Sequence, residues 1–196
     1  DFTRGWFSQV DAQGFIIDVR SNGGGFVSQL VLARVRRALT GFVTGRNQAP
    51  ERDHVRAFSG ALLVVCDGWT ASDGEAFTAN FQALGLGQVV GSRTWGGLVG
   101  YRGARTVVDG AFRSEPEFGQ YGLNGKWTVE GWGVEPDVVV EMDPTLHAAG
   151  RDPQLEKAVD VMLGLLAAAP PLPQPPAYPN GGLEAFRAAH PLQTVP

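Results

Sequence analysis

The sequence predicts an α/β fold built on a parallel sheet. Two apolar runs rich in β-branched residues, Gly14 to Val19 and Ala61 to Cys66, each pass through a glycine-bearing turn into a segment of helical character. A third short run, Gln88-Val89-Val90-Gly91, follows the second helical segment. With 196 residues, 43% of them hydrophobic, the chain is long enough for one globular domain with a core of its own.

Taken in order, Gly14-Phe15-Ile16-Ile17-Asp18-Val19 is a buried strand that ends against the glycine loop Asn22-Gly23-Gly24-Gly25. From Phe26 to Leu39, Val27, Leu30, Val31, Val35 and Ala38 recur at helical spacing, and Arg34, Arg36 and Arg37 come late, where they suit the negative end of a helix dipole. Ala61 to Cys66 is a second buried strand, which Asp67-Gly68-Trp69-Thr70-Ala71 turns into a helix that begins near Ser72 and ends by Gly85 or Gly87. After the third strand, Arg93-Thr94-Trp95-Gly96-Gly97 is a loop. Asp109-Gly110, set between short runs, marks a β-hairpin, and Val138-Val139-Val140 is the last strand. Asp152-Pro153 is a helix N-cap with proline in the first turn, and Leu155, Ala158, Val159, Met162 and Leu166 then form one apolar stripe that packs on the domain or on a partner. The expected organisation is an α/β domain over residues 1–168 and a proline-rich tail over 169–196, the latter extended, as a tether, a surface strap or a ligand for an SH3-type domain.

Composition removes several function classes. Lys and Arg number 16 against 20 Asp and Glu, a net charge of -4 with no basic run, which argues against electrostatic binding to nucleic acid or an anionic membrane. A single cysteine, Cys66, allows no intrachain disulfide and no cysteine-based zinc site, and its apolar neighbours make it a buried structural thiol. No apolar stretch approaches the ~20 residues of a spanning helix, and the N-terminus lacks the layout of a signal peptide, so a cytoplasmic location is expected. The chain opens at Asp1-Phe2-Thr3-Arg4 without an initiator methionine, as a fragment of a longer protein would.

Ser72 is the first candidate for chemistry, because a serine at a strand-to-helix turn can meet a substrate while nearby amides stabilise an oxyanion. The same residues, Ser72-Asp73-Gly74-Glu75, also fit a capping box, in which the serine only satisfies helix amides. The G-x-S-x-G elbow fails at Thr70. The loop at Asn22-Gly23-Gly24-Gly25 does not fit a dinucleotide site, since G-x-G-x-x-G would need glycine at Ser28 and no acid lies between Asp18 and Glu51. A glycine-lined oxyanion hole facing Ser72 explains the loop at least as well. Glu130 is either a shielded, orienting carboxylate or a solvated loop glutamate, and Trp95 either a core residue or a substrate wall. His54, His147 and His190 sit in no metal-ligand spacing, and none is an obvious general base for a serine nucleophile. No metal or other cofactor is expected.

Four ordered segments carry a resemblance: Gly14 to Leu30, Thr70-Ala71-Ser72-Asp73-Gly74-Glu75, Gly91-Ser92-Arg93-Thr94-Trp95-Gly96-Gly97 and Gly133-Val134-Glu135-Pro136-Asp137. Together they resemble the catalytic domain of the tricorn protease family, within the C-terminal processing, tail-specific serine peptidases. The resemblance implies a crotonase-like, ClpP-like arrangement of repeated strand-helix units. It also implies that Ser72 is the nucleophile, that the Asp73 amide and an amide of Gly24 or Gly25 form the oxyanion hole, and that Glu130 is the acidic member of the proton-relay group. In that family the histidine lies upstream, so it would come from the N-terminal part of the same peptidase, acting as a homo-oligomer on peptides or unfolded polypeptides. Val43 stands where the family pattern places an aspartate that favours basic side chains, which implies an apolar preference here. Two further readings stay open: a crotonase-type enzyme that stabilises a thioester enolate with the two amides, and a non-catalytic peptide-binding domain.

Overall fold

The computed structural model of the chain describes residues 2–45, 48–54, 56–103, 105–177 and 187–190. In chain order its elements are α1 (Phe2–Ser8), β1 (Gly14–Asp18), α2 (Ser28–Val35), β2 (Gly41–Val43), β3 (Glu51–Asp53), β4 (Ala61–Cys66), α3 (Asp73–Ala83), β5 (Gln88–Gly91), β6 (Arg105–Thr106), β7 (Phe112–Arg113), β8 (Val138–Val139), α4 (Pro144–Ala148) and α5 (Pro153–Ala168). The main sheet is parallel throughout, in the order β1-β4-β5-β8.

β4 is the hub of this sheet, pairing with β1 from Ala61 opposite Gly14 to Val65 opposite Asp18, and with β5 from Leu63 opposite Gln88. Its side chains alternate between two apolar clusters, as the period of a strand requires. Leu62, Val64 and Cys66 join Trp6, Leu32, Phe77 and Phe81 from α1, α2 and α3 on one face. Leu63 and Val65 join Ala158 and Met162 of α5 on the other. Helices thus cover both faces, which is why Ala61-Leu62-Leu63-Val64-Val65-Cys66 is apolar at every position rather than at every second one.

The strand-helix repeats, the third strand, the last strand and the Asp152-capped helix fall where the sequence placed them. Other expectations are corrected. α2 is shorter than the expected helix over residues 26–39, and the face it buries is Ser28, Leu32 and Val35, while Phe26, Val27 and Leu30 are exposed, Leu30 at 70%. Val31 and Val35 of the expected stripe do pack on the core, and at the start of the helix Asp73 accepts the amides of Val27 and Ser28. Residues between the first strand-helix unit and β4, given no element from sequence, include the antiparallel pair β2 and β3, with Val43 opposite Glu51. α1 carries no sequence signal of its own; it is held by Trp6, 2% exposed, against the rings of Phe2, Phe15 and Phe58. On α5 the buried face includes Gln154, whose side-chain amide donates to the Val140 carbonyl, while Leu155 and Val159 are exposed. Of the tail, residues 169–177 are exposed without helix or strand, and 178–186 and 191–196 lie outside the described residues.

Cys66 is fully buried, and burial first, then the negative charges of Asp67, Asp137 and Glu135, push its thiol up to about 12. Thiolate is the reactive form, so the native chain should leave a disulfide reagent such as dithionitrobenzoate unreacted at pH 8 and consume one equivalent only on unfolding. Rapid reaction of the folded protein would contradict this packing.

Candidate active site

All strands of the main sheet point the same way, so the loops after β1, β4 and β5 meet at one end of it. Crevices at the carboxyl ends of parallel strands are where open α/β sheets bind ligands. Residues 20–27, 67–72 and 92–97 converge there around Ser72.

Ser72 is the N-cap of α3, with φ 50° and ψ -116°. A non-glycine residue in such a conformation stores on the order of 1 to 3 kcal/mol and persists only where its surroundings hold it. Here they do. The Ala71 amide donates to the Asn22 carbonyl at 2.8 Å, and the Ser72 amide to the Gly97 carbonyl at 3.1 Å. Thr70, with no exposed surface, donates its hydroxyl to the Val19 carbonyl at 3.0 Å and accepts from the Asp67 amide at 3.1 Å, tying the turn to the end of β1.

Glu75 is the residue whose role spacing alone understates. The capping box is present, with Glu75 Oε2 accepting from the Ser72 amide at 3.1 Å. The same carboxylate, 0% exposed, also accepts from Thr94 Oγ1 and the Gly96 amide at 2.6 Å each and from the Gly97 amide at 2.9 Å. One buried side chain therefore joins the serine turn to the loop after β5. Gly96 (φ +87°) is required where that loop passes the backbone of Trp132 and Gly133, which a Cβ would approach to 3.0 and 2.9 Å. Gln at position 75 would set an NH2 group against at least one of these donors. Glu75→Gln should lower stability by about 1 to 3 kcal/mol, measured by urea denaturation. An unchanged midpoint would show that the four bonds carry no stability.

Gly24 (φ +121°) lies directly against the serine: a Cβ built on it would stand 2.7 Å from Ser72 Cβ and 3.6 Å from the Asp73 nitrogen. Its amide is engaged by Asn22 Oδ1 at 3.0 Å. The amides of Gly25 and Asp73 donate to no described residue. Of the amides considered from sequence, that of Gly24 is thus engaged and these two are not.

A cleft of about 880 Å³ runs past Ser72 and is walled by Phe26, Trp95, Leu98, Tyr101 and Phe118. The rings of Phe26 and Phe118 stand 6.2 Å apart at its edge. Glu130 lines the same cleft; its Oε2 accepts from the Leu98 and Val99 amides at 2.6 and 2.5 Å. The preceding Val129 has φ +68°, a left-handed conformation uncommon for a β-branched residue. Ser72, Asp73, Gly25, Trp95 and Glu130 are therefore brought together. Val43 is not: it is 62% exposed on β2 and does not line the cleft. His54, His147 and His190 are all exposed and line no part of it.

Residues 5–140 match the model of peptidase family S41. The chain belongs to that family. Among S41 relatives, the tricorn protease of Thermoplasma volcanium is 37% identical over 163 residues, covering 83% of this chain and 16% of that protein. Tricorn protease homolog 1 of Streptomyces coelicolor is 39% identical over 171 residues, 87% of this chain and 16% of that one. A crystal structure of the tricorn protease superposes with a TM-score of 0.73 at 37% identity, over 79% of this chain and 15% of the other. The resemblance to the tricorn family is thereby confirmed, and this S41 domain spans only a small part of the length of the relatives it matches. No helix among the described residues is long and apolar enough to cross a membrane.

Proposed function

We propose that this S41 domain supplies the nucleophile and oxyanion hole of a serine endopeptidase acting on peptides or unfolded polypeptides. The observation that carries the reading is the juxtaposition of a strained serine with two unengaged amides, Gly25 and Asp73, in the lining of one cleft of about 880 Å³. Ser72 Oγ attacks the scissile carbonyl carbon, and the carbonyl oxygen takes the negative charge and is met by the two amides. The serine proton passes to a histidine and from it to the departing amine, leaving an acyl-enzyme that water hydrolyses.

That histidine comes, in this reading, from the N-terminal part of the same peptidase, working as a homo-oligomer with a crotonase-like catalytic domain. Support comes from the placement of His54, His147 and His190 away from the cleft. Glu130 orients the relay; its Oε2 is anchored on two backbone amides while Oε1 has no partner among the described residues. The apolar side chains among the cleft's lining suit apolar substrate side chains. This preference rests on Phe26, Trp95, Tyr101 and Phe118, not on Val43.

A biotinylated fluorophosphonate tests the proposal on the complete protein. Labelling that peptide mapping assigns to Ser72 is the expected result. A complete, folded protein that hydrolyses peptides yet labels elsewhere would remove Ser72 as the nucleophile, and one that neither labels nor hydrolyses peptides would favour the enolate-stabilising or non-catalytic reading.

A further inference from the structure

The two amides assigned to the oxyanion hole come from positions far apart in the chain, and the segment carrying one of them is glycine-rich. Gly24 and Gly25 have φ of +121° and +153° and no side chain with which to pack, so their place must be imposed from outside. Part of this comes from nearby side chains: Asn22 Oδ1 accepts the Gly24 amide and Asp67 Oδ1 the Ser21 amide, each at 3.0 Å. Upstream of the glycines, the Asn22 carbonyl accepts the Ala71 amide at 2.8 Å. Downstream, the Asp73 carboxylate takes three donors from the start of α2: Oδ2 accepts the Val27 and Ser28 amides at 2.6 and 2.9 Å, and Oδ1 accepts Ser28 Oγ at 2.5 Å. The loop is thus fixed at both ends to the residues on either side of Ser72. A Cβ on Gly25 would lie 3.8 Å from Asp73 Oδ2, so the carboxylate stands directly behind the loop.

We infer that the Asp73 side chain is a positioning group that sets the spacing of the oxyanion hole: its amide is one donor, and its carboxylate, by holding the N-terminus of α2, places the Gly25 amide that is the other. The inference rests on the peptidase reading above and assigns the carboxylate no proton transfer, because both oxygens already accept hydrogen bonds and the group sits where a helix N-terminus favours an anion. An oxyanion exists only in the tetrahedral state. A hole with the wrong spacing therefore loses turnover and leaves ground-state binding of the peptide intact.

The test uses the complete protein with a fluorogenic peptide, a peptide aldehyde that forms a tetrahedral adduct on Ser72, and a non-cleavable peptide that binds without reacting. Asp73→Ala should lower kcat on the order of 100-fold, the scale of one lost oxyanion donor, with KM within about threefold. Aldehyde affinity should fall by the same factor as kcat/KM, and affinity for the non-cleavable peptide should hold. Asp73→Asn should recover most of the loss, because the Asn carbonyl can take both amides while its NH2 donates to Ser28 Oγ. Ser28→Ala, which removes one bond of three and lies outside the nucleophile turn, should give a smaller loss in kcat and guards against misfolding of the first variant. Asp73→Ala with kcat and aldehyde affinity within twofold of wild type would overturn the inference. So would a parallel loss of non-cleavable peptide binding in both Asp73→Ala and Ser28→Ala, which would mark general loosening. Failure of the wild-type protein to label at Ser72 counts instead against the peptidase reading, and removes this inference with it.

Discussion

Ser72→Ala should reduce peptidase activity of the complete protein on the order of 10⁶-fold, the scale on which hydrolases lose turnover when the attacking serine is removed. The fold should barely notice. A serine-to-alanine change at an N-cap costs ~1 kcal/mol, and the other half of the capping box survives because Glu75 binds the backbone amide of residue 72, not its side chain. The strained conformation also survives, since it is held by Gly97, Asn22 and Glu75 rather than by the hydroxyl. Hydrolysis of a fluorogenic peptide beside a thermal unfolding curve separates the two effects. A variant that keeps activity near wild type removes Ser72 from the mechanism.

Gly24→Ala should be the most damaging change that leaves every polar group in place. The new methyl carbon would stand 2.7 Å from Ser72 Cβ, well inside contact distance, and φ +121° is a conformation that alanine rarely adopts. Either the loop or the serine must move, and each carries part of the catalytic geometry. A loss of about 100- to 1,000-fold in kcat is expected, the range for an oxyanion hole deprived of a donor, together with a lower melting temperature. Gly23→Ala is the control for folding: nothing lies within 4 Å of its Cβ position, so its melting temperature should match wild type. Equal activity of Gly24→Ala and wild type would show that this close approach has no bearing on turnover.

What could be read from the sequence divides along a physical line. The sheet was legible because β4 is apolar throughout and β1 and β5 carry the runs Phe15-Ile16-Ile17 and Val89-Val90, a pattern that buried parallel strands need whatever surrounds them. α5 was legible because Asp152 and Pro153 are local signals; the Asp152 carboxylate caps the Leu155 amide as expected. α1 and the β2-β3 ribbon were not, because they are set by contacts distant in sequence, such as Trp6 against Phe58 and Arg52 against Asp11. At the site, the glycine loop and Ser72 were legible as types, but spacing alone favoured a cap over a nucleophile, and only the family resemblance reversed that order. Side-chain roles were the hardest part. Glu75 reads as a capping residue and proves to bind Thr94, Gly96 and Gly97 as well; nothing local connects Asp73 with Ser28, 45 positions apart in the chain.

The order of the main sheet also decides when this chemistry can exist. Gly25 follows β1, Ser72 follows β4, the Glu75-bound loop follows β5, and Glu130 precedes β8, so the centre is complete only after those strands have found one another. Pairing of distant strands comes late, because loop closure must precede the contacts that reward it. A nascent or partly unfolded chain therefore carries Ser72 without the surroundings that the proposed chemistry needs. On the proposed peptidase reading, proteolytic capacity would appear with native topology and disappear with it, which would keep an immature copy from cutting its neighbours while their own backbones are still exposed.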